Sequence, residues 1–202
     1  MTTSGLSKRS SWAADQPIGF LMQKALAHPE LVSLAAGFVD QASLPVDAAR
    51  SAALGALSDV TLARAALQYG TTAGDPELRA QLVERLKNLD GPAAPSASVE
   101  QVILTAGSNQ MLWLLADALL DPGDLVLCDA PTYFVFMGVV RNMGARAVGI
   151  TSDEHGMRPD ALEAELERRK AAGELSRVKA IYVVSYFDNP RSVSLAPERR
   201  AK

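Results

Sequence analysis

A glycine turn between an apolar run and a helical pattern is the part of the sequence with the clearest potential for chemistry. Residues 102–104 are apolar, Gly107, Ser108 and Asn109 follow them, and apolar residues at helical spacing begin at Leu112. This order predicts a strand, a glycine turn and a helix, as in a βαβ unit. Unpaired backbone N–H groups and the helix dipole at such a turn favour an anion, most often a phosphate. One glycine is also typical of an ordinary capped turn, so the spacing alone leaves both interpretations open.

Two more chemically useful groups come directly after predicted strands. Tyr133 follows the apolar run at 125–128, and Asn189 and Pro190 follow the apolar run at 179–184. Open α/β sheets bind ligands at the carboxyl ends of their strands, so these groups and the glycine turn should meet in one crevice. An anion site, an aromatic ring and an amide together suit a flat phosphorylated heteroaromatic ligand. Taken one by one, a packed tyrosine and a turn-forming Asn-Pro pair are equally good interpretations.

The elements that must position these groups alternate between strands and helices. Asp75 and Pro76 have the types expected at a helix N-cap and in a first helical turn, and Pro159 opens another predicted helix. Short apolar runs at 31–36 and 147–150 are predicted strands. This alternation predicts an α/β fold with a largely parallel sheet.

Composition excludes several classes of protein. The chain has 202 residues, 48% of them hydrophobic, and a net charge of -3, so it can bury a core and has no electrostatic case for binding nucleic acid or membrane surfaces. No apolar run approaches the roughly 20 residues of a membrane span, and the N-terminus lacks the apolar core of a secretion signal. Cys128 is the sole cysteine, and His28 and His155 are far apart, so neither an internal disulfide nor a metal site is predicted. We therefore expect a cytoplasmic protein, with Cys128 as a small buried residue.

The candidate residues belong to a longer series of motifs that resembles one family, the fold-type I pyridoxal-phosphate enzymes of the class I and II aminotransferases. The similarity is greatest to the aromatic, aminoadipate and branched-chain subgroup, and it extends to the aminotransferase-like part of MocR-type regulators. No single motif is decisive, but their order and spacing together are specific. In chain order the motifs are SLAAGFVD, LQYGTTAGDPELR, ILTAGSNQ, DPGDLVLCDAPTYF, GARAVGI, DEHGM and KAIYVVSYFDNP.

The resemblance implies an incomplete aminotransferase fold. Residues 46–202 would form part of the pyridoxal-phosphate-binding large domain, an incomplete parallel or mixed sheet sandwiched by helices. Residues 1–45 would form an N-terminal arm and a small-domain segment. A sheet cut after about four strands leaves an open edge and an uncovered apolar face, which favours aggregation. We therefore expect the 202-residue chain alone to be poorly soluble or partly molten.

The resemblance also implies a role for each candidate residue towards pyridoxal 5'-phosphate. Gly107, Ser108 and Asn109 would hold the cofactor phosphate with backbone and side-chain groups. Tyr133 would stack on the pyridine ring. Asn189 would hydrogen-bond the phenolic oxygen of that ring.

Two further implied roles concern the neighbouring subunit and the substrate. Tyr69 would reach the phosphate bound by the neighbouring subunit, which implies a homodimer, and Gly37 would lie near the substrate carboxylate. The implied substrates are an amino acid and a 2-oxo acid, which exchange an amino group. An ordinary loop tyrosine is the alternative interpretation of Tyr69.

The sequence departs from the family pattern in two places. Arg191 and Ser192 stand where the family usually has Thr-Gly after Asn-Pro. The Schiff-base lysine, the aspartate that faces the pyridine nitrogen and the arginine that binds the substrate carboxylate come well downstream of that turn in the family, whereas this sequence ends at Lys202. Asp188 does not match the family's aspartate, and solvated charges are expected for the lysines at positions 24, 87, 170 and 179. No catalytic residue is therefore assigned, and the chain is expected to be an inactive N-terminal part of an aminotransferase.

Two alternatives to this interpretation stay open. One is a non-catalytic domain that binds the cofactor or a partner, as in the regulators, although these carry a basic helix-turn-helix domain where this sequence has a short polar arm. The other is a lyase or decarboxylase of the same fold, which residues beyond this sequence would decide.

Overall fold

The computed structural model describes residues 5–12, 17–32, 39–91 and 97–202. The chain divides into two units, one of residues 37–106 and the other of residues 1–36 with 107–202. The predicted boundary at residue 45 concerns the domains of a whole aminotransferase and stays a prediction. The helices are α1 (Pro17–Ala27), α2 (Val46–Leu57), α3 (Val60–Ala66), α4 (Pro76–Asp90), α5 (Ser108–Leu119), α6 (Phe134–Asn142), α7 (Pro159–Ala171) and α8 (Pro197–Arg200). The strands are β1 (Leu125–Ala130), β2 (Arg146–Asp153), β3 (Gly156–Met157) and β4 (Val178–Tyr182).

Helices α2, α3 and α4 lie in the unit at residues 37–106. Asp59 begins α3 by accepting hydrogen bonds from the backbone N–H groups of Thr61 and Leu62 at 2.8 and 3.0 Å. Asp75 begins α4 in the same way, accepting from the N–H of Leu78 at 2.8 Å. Pro76 occupies the first turn of α4, so the predicted helix start is confirmed.

The strand predicted at residues 102–104 is not formed, and that prediction was wrong. The segment is bonded instead to earlier parts of the same unit. The N–H of Leu104 donates to the carbonyl of Ala73 at 2.9 Å, and the guanidinium of Arg79 donates to the carbonyl of Val102 at 2.6 Å. Because a distant side chain satisfies this backbone, the apolar run does not need a strand partner, and its periodicity could not show this.

The larger unit contains a four-stranded mixed sheet in the order β3-β2-β1-β4. β1 pairs in parallel with β2 and with β4, whereas β3 runs antiparallel to β2. The predicted strand at 147–150 lies within β2, and the run at 179–184 supplies most of β4. The α/β class and the mixed sheet are therefore confirmed.

Successive residues of β1 point to opposite faces of the sheet, and helices cover both faces. Val126 packs with Phe136 in a cluster built from α5, α6 and the sheet. Leu127 packs with Ile150 on the other face, against α7. Cys128 is 2% exposed, as predicted, and burial raises the pKa of its thiol to about 11. The central strand thus fixes where the residues after its carboxyl end must lie.

β4 forms an edge of the sheet, because β1 is its sole partner among the described strands. Ile181 of β4 is 49% exposed, and Leu115 and Leu119 of α5 are 43% and 50% exposed. These three side chains line an apolar groove beside the edge. The open edge expected from the sequence is present in this unit, whereas poor solubility stays a prediction.

The N-terminal part of the chain is described only in segments. Helix α1 confirms the helical pattern predicted at 18–26. Most of the predicted strand at 31–36, and Gly37 after it, lie outside the described residues. Across the parts of the chain that are described, every helix is too short or too polar to cross a membrane.

Candidate functional site

The carboxyl ends of β1 and β4 and the N-terminus of α5 face one open cleft. Ser108 of α5, Tyr133 after β1 and Asn189 after β4 all line it. The structure therefore brings together the glycine turn, the aromatic residue and the amide that the sequence singled out. The other lining residues are Met111, Leu112, Tyr182, Val183, Val184, Ser185 and Tyr186.

The end of the cleft that is suited to an anion is the first turn of α5. Gly107 is the N-cap residue, with φ 81° and ψ 169°, and a Cβ placed there would meet no atom within 4 Å. Conformation rather than space therefore requires glycine at this position. Ser108 and Asn109 are exposed, and the first turn contains no acidic residue. This helix end can accept an anion, because its N–H groups and the positive end of its dipole lie at the cleft.

Tyr133 also lines the cleft. It is the N-cap residue of α6 and is half-buried. Its ring centroid lies 6.1 Å from that of Phe134, with the two planes tilted by 50°. An aromatic ring held in this way at the side of a cleft can stack on a flat ligand.

Tyr182 is a cleft residue that the sequence reasoning missed. Its ring stacks on Phe136 with centroids 4.1 Å apart, and it lines the cleft at the end of β4. Burial raises the pKa of Tyr182, and the nearby Tyr133 and Asp188 act in the same direction. The phenol is therefore neutral near pH 7. No local sequence signal separates Tyr182 from an ordinary core aromatic, because its position depends on stacking against Phe136 of another element.

Asn189 sits in a turn that closes on itself. The N–H of Asp188 donates to the carbonyl of Val193 at 2.8 Å, and the N–H of Ser192 donates back to the carbonyl of Asp188 at 2.5 Å. Ser192 has a φ of 57°, in the left-handed region that favours glycine. The serine thus occupies the conformation for which the glycine of the family pattern is suited.

Arg191, the other departure from the family pattern, is not among the described residues that line the cleft, and it anchors this turn. Its Nε and Nη2 both donate to Oδ2 of Asp188, at 3.0 and 2.9 Å. Its Nη1 donates to the carbonyl of Asp153 at 3.2 Å, and Nη2 lies 4.0 Å from Oδ1 of Asp129. Asp188 is 2% exposed, and its Oδ1 has no hydrogen-bond partner within the described chain. A long cation at position 191 therefore compensates the buried negative charge of Asp188.

Asp129 is the second buried carboxyl beside Arg191. It is 3% exposed, and its Oδ1 accepts a hydrogen bond of 2.6 Å from the hydroxyl of Ser152. Burial raises the pKa of Asp129 and the charge of Asp188 adds to the increase, while Ser152 and Arg191 oppose it. Two acidic side chains thus share one guanidinium at the carboxyl ends of β1 and β4.

A second arginine secures the end of β2. Arg199 of α8 donates from Nη1 and Nη2 to the two carboxylate oxygens of Asp153, at 2.7 and 2.8 Å. Nη1 also donates to the carbonyl of Gly156 at 2.8 Å. The hydrogen bond with Arg199 lowers the pKa of Asp153 from 3.8 to about 2. The end of β2 is therefore fixed from two sides, by Arg191 on its backbone and by Arg199 on its side chain.

The remaining predicted residues are Tyr69, Gly37 and the lysines. Tyr69 belongs to the unit at 37–106, where the residue is 99% exposed, and Gly37 is outside the described residues. None of the described residues that line the cleft is a lysine. Lys170 pairs with Glu167 at 3.4 Å on the surface of α7, as expected for a solvated charge.

Comparisons with known proteins agree with the motifs. The sequence profile of the family described as Aminotransferase class I and II matches residues 29–198. An aminotransferase of Saccharolobus solfataricus is 34% identical over 85% of this chain and 41% of its own length. Aromatic-amino-acid aminotransferase 1 of Thermococcus litoralis is 31% identical over 89% of this chain and 41% of its own length.

A solved structure shows the same relationship. Kynurenine aminotransferase of Pyrococcus horikoshii, in complex with PMP, has a TM-score of 0.84 and 30% identity, and the match covers 98% of this chain and 46% of that one. The chain spans less than half the length of these relatives. It belongs to the class I and II aminotransferase family, which confirms the resemblance seen in its motifs.

Proposed function

We propose that this member of the class I and II aminotransferase family binds pyridoxal 5'-phosphate in its cleft, as part of a protein that moves an amino group between an amino acid and a 2-oxo acid. The observation that supports this most is the presence of Ser108, Tyr133 and Asn189 in one cleft. These residues come from three separate parts of the sequence, and each supplies a different group. PMP, the aminated form of the cofactor, is in the structure of the Pyrococcus horikoshii relative.

The N-terminus of α5 is the proposed phosphate site. Gly107 lets the phosphate approach the backbone closely, since no Cβ stands in the way. The first-turn N–H groups and the side chains of Ser108 and Asn109 would donate to the phosphate oxygens. The helix dipole adds a favourable interaction with the negative charge.

Tyr133 and Asn189 are the proposed partners of the cofactor ring. Stacking of Tyr133 on the pyridine would contribute about 1 kcal/mol beyond the burial of its surface. The amide of Asn189 would donate to the phenolic oxygen, which fixes the rotation of the ring about its stacking axis. Phosphate, ring face and ring oxygen are then each held by a different element.

Binding and orientation are the contributions that this chain's own cleft residues can make. When bound, the cofactor supplies an electron-accepting ring and the group that carries nitrogen between the two substrates. Moving a proton at the substrate needs a base, and no lysine lies among the described cleft residues. We therefore expect the 202-residue chain to bind the cofactor without transferring amino groups, and we assign transfer to a longer protein.

Further parts of the proposal concern that whole protein. Tyr69 would bind the cofactor phosphate of the neighbouring subunit in a homodimer, and its 99% exposure leaves it available for this contact. Gly37 would lie near the substrate carboxylate. Residues 1–45 would contribute an arm and small-domain segment, and residues 46–202 part of the large domain. A cytoplasmic location accords with one buried, unpaired cysteine, Cys128.

Calorimetric titration with pyridoxamine phosphate tests the cofactor site. This form has no aldehyde, so it does not react with surface lysines. We expect saturable binding that Tyr133→Ala or Asn189→Ala weakens about fivefold to tenfold. Asn88→Ala, at an exposed position in α4, is the control and should bind like the wild type. Unchanged affinity in both cleft variants would contradict the proposed contacts.

The mass of the native protein tests the wider proposal. A mass well above 21.4 kDa, with a lysine downstream of residue 202 that is needed for turnover, would support a complete aminotransferase. A native mass of 21.4 kDa would contradict the assignment of transfer to a longer protein. Cofactor binding without turnover would then be the whole function of this chain.

A further inference from the structure

We propose that Arg191 is a positioning residue for the cofactor, which holds Asn189 at the cleft through a buried pair with Asp188. The inference rests on the proposed function, because it concerns how tightly the cofactor ring is held. Arg191 itself does not line the cleft among the described residues, so it would act through the turn and not by contact with the ligand.

The contacts of Arg191 run from the turn to both neighbouring strand ends. Two of its nitrogens bind Oδ2 of Asp188, the residue directly before Asn189. A third nitrogen binds the carbonyl of Asp153 at the end of β2, and the guanidinium lies 4.0 Å from the carboxylate of Asp129 in β1. The turn that carries Asn189 is therefore tied to the strand that precedes Tyr133. In this proposal, these contacts limit how far Asn189 can move relative to Tyr133.

Burial makes this arrangement specific to arginine. The side chain of Asp188 is 3% exposed and that of Arg191 is 19% exposed, so water does little to replace a lost contact. A guanidinium reaches an acid and a carbonyl at once with its planar set of donors. A lysine ammonium is a single point charge on a flexible stem, so it could pair with Asp188 but would not also span to the backbone of β2.

The phosphate end of the cleft offers an internal reference. Gly107 caps α5 and Ser108 begins it, and none of the contacts that Arg191 makes with the described residues involves that helix. Loss of Arg191 should therefore weaken the part of binding that depends on Asn189 and leave the phosphate contacts intact. A general loss of structure would weaken both parts together.

Titration of the 202-residue chain and its variants with pyridoxamine phosphate, and with inorganic phosphate as competitor, separates these possibilities. We expect Arg191→Ala to weaken the binding of pyridoxamine phosphate about fivefold to tenfold, which is the range expected for one hydrogen bond to a ligand. The affinity for inorganic phosphate should be unchanged. In an Asn189→Ala background the same change should have no further effect, because the two residues act in series. Arg50→Ala, which removes an exposed arginine paired with Asp47 three residues earlier, is the matched control.

Arg191→Lys guards against a variant that simply unfolds. It keeps the charge opposite Asp188, so it should melt close to the wild type and still lose about threefold in affinity for pyridoxamine phosphate. Wild-type affinity in this folded variant would overturn the inference, as would equal effects of Arg191→Ala with and without Asn189. A wild-type chain that does not bind pyridoxamine phosphate would overturn the proposed function and the inference with it.

Discussion

The two ends of the cleft are built by different physical means. At the α5 end, an exposed turn depends on backbone conformation, with Gly107 at φ 81° and no atom near its missing Cβ. At the other end, Asn189 is exposed but its turn is held by charges buried beneath it, Asp188 and Arg191. One end is defined by a local conformation, and the other by a buried ion pair whose arginine also reaches Asp153, far away in the chain.

This difference determines how each end should respond to change. A glycine turn with a positive φ is destabilised by any residue that carries a β-carbon, but it does not depend on distant residues. A turn held by a buried ion pair tolerates changes at its exposed positions and fails when one charge is left without its partner. Substitutions, salt and acid should therefore separate the two ends.

The largest effect should come from breaking the buried pair. Arg191→Ala leaves the carboxylate of Asp188 buried without its cation, which should cost about 3–5 kcal/mol in the free energy of unfolding. Arg50→Ala breaks an ion pair with the same three-residue spacing, but the Arg50 and Asp47 side chains are 65% and 93% exposed. That control should cost less than about 1 kcal/mol. Urea unfolding of both variants gives the comparison, and equal losses would contradict a buried anchor.

Gly107→Ala should give the next largest effect. A β-carbon at this φ and ψ is strained whatever space is available, so we expect a loss of about 1–3 kcal/mol in stability together with weaker competition by inorganic phosphate. Gly55→Ala within α2 has open space around it and a helical backbone. It should stabilise the protein by about 0.5–1 kcal/mol. Opposite signs in thermal unfolding are the expected result, whereas a gain at both positions would exclude strain at residue 107.

Ser192→Gly should have a smaller effect, in the stabilising direction. Its φ of 57° is costly for a residue with a side chain, and glycine removes that cost while losing more entropy on folding. The balance should be a gain of at most about 1 kcal/mol, with unchanged affinity for pyridoxamine phosphate. Ser51→Gly in α2 is the control and should lose about 0.5 kcal/mol. Destabilisation by Ser192→Gly would show that the serine side chain itself is needed.

Acid should act on the Asn189 end through Asp153. The pKa of this carboxyl is lowered from 3.8 to about 2 by Arg199, so its contribution to stability is present above about pH 4 and is lost as the pH falls towards 2. The pH dependence contributed by Asp129 has the opposite sign. Burial raises the pKa of Asp129, so its contribution to stability is lost as the pH rises through that raised value. Arg199→Gln should therefore flatten the acid side of the stability profile. Urea midpoints between these pH values measure this, and a profile as steep as that of the wild type would contradict it.

The predictability of each part follows from the range of its contacts. The helix start at Asp75 and the turn at Gly107 depend on residues within a few positions, so residue type and spacing were sufficient. The strand expected at 102–104 is not formed. The carbonyl of Val102 accepts a hydrogen bond from Arg79, which lies 23 residues earlier in the sequence, so no local pattern could show this. The role of Arg191 also depends on Asp129 and Asp153, which no local pattern connects to position 191.

The cleft itself lies between these extremes. Parallel strands place their carboxyl ends at one edge, so the meeting of Ser108, Tyr133 and Asn189 could be expected once the strands were recognised. Tyr182 could not be separated from an ordinary core aromatic, because its stacking on Phe136 joins two distant elements. Family resemblance supplied roles for the first three residues, and contacts were needed to find the fourth.

A comparison of three ligands would test most directly whether both ends of the cleft act on one molecule. Pyridoxamine phosphate, pyridoxamine and inorganic phosphate should be titrated separately into the wild-type chain. Pyridoxamine phosphate should bind about tenfold or more tightly than either of the others, because it alone reaches the α5 turn and the ring contacts of Tyr133 and Asn189 together. Binding no tighter than that of inorganic phosphate would mean that the ring is not held, and would contradict the assignment of this cleft as the cofactor site.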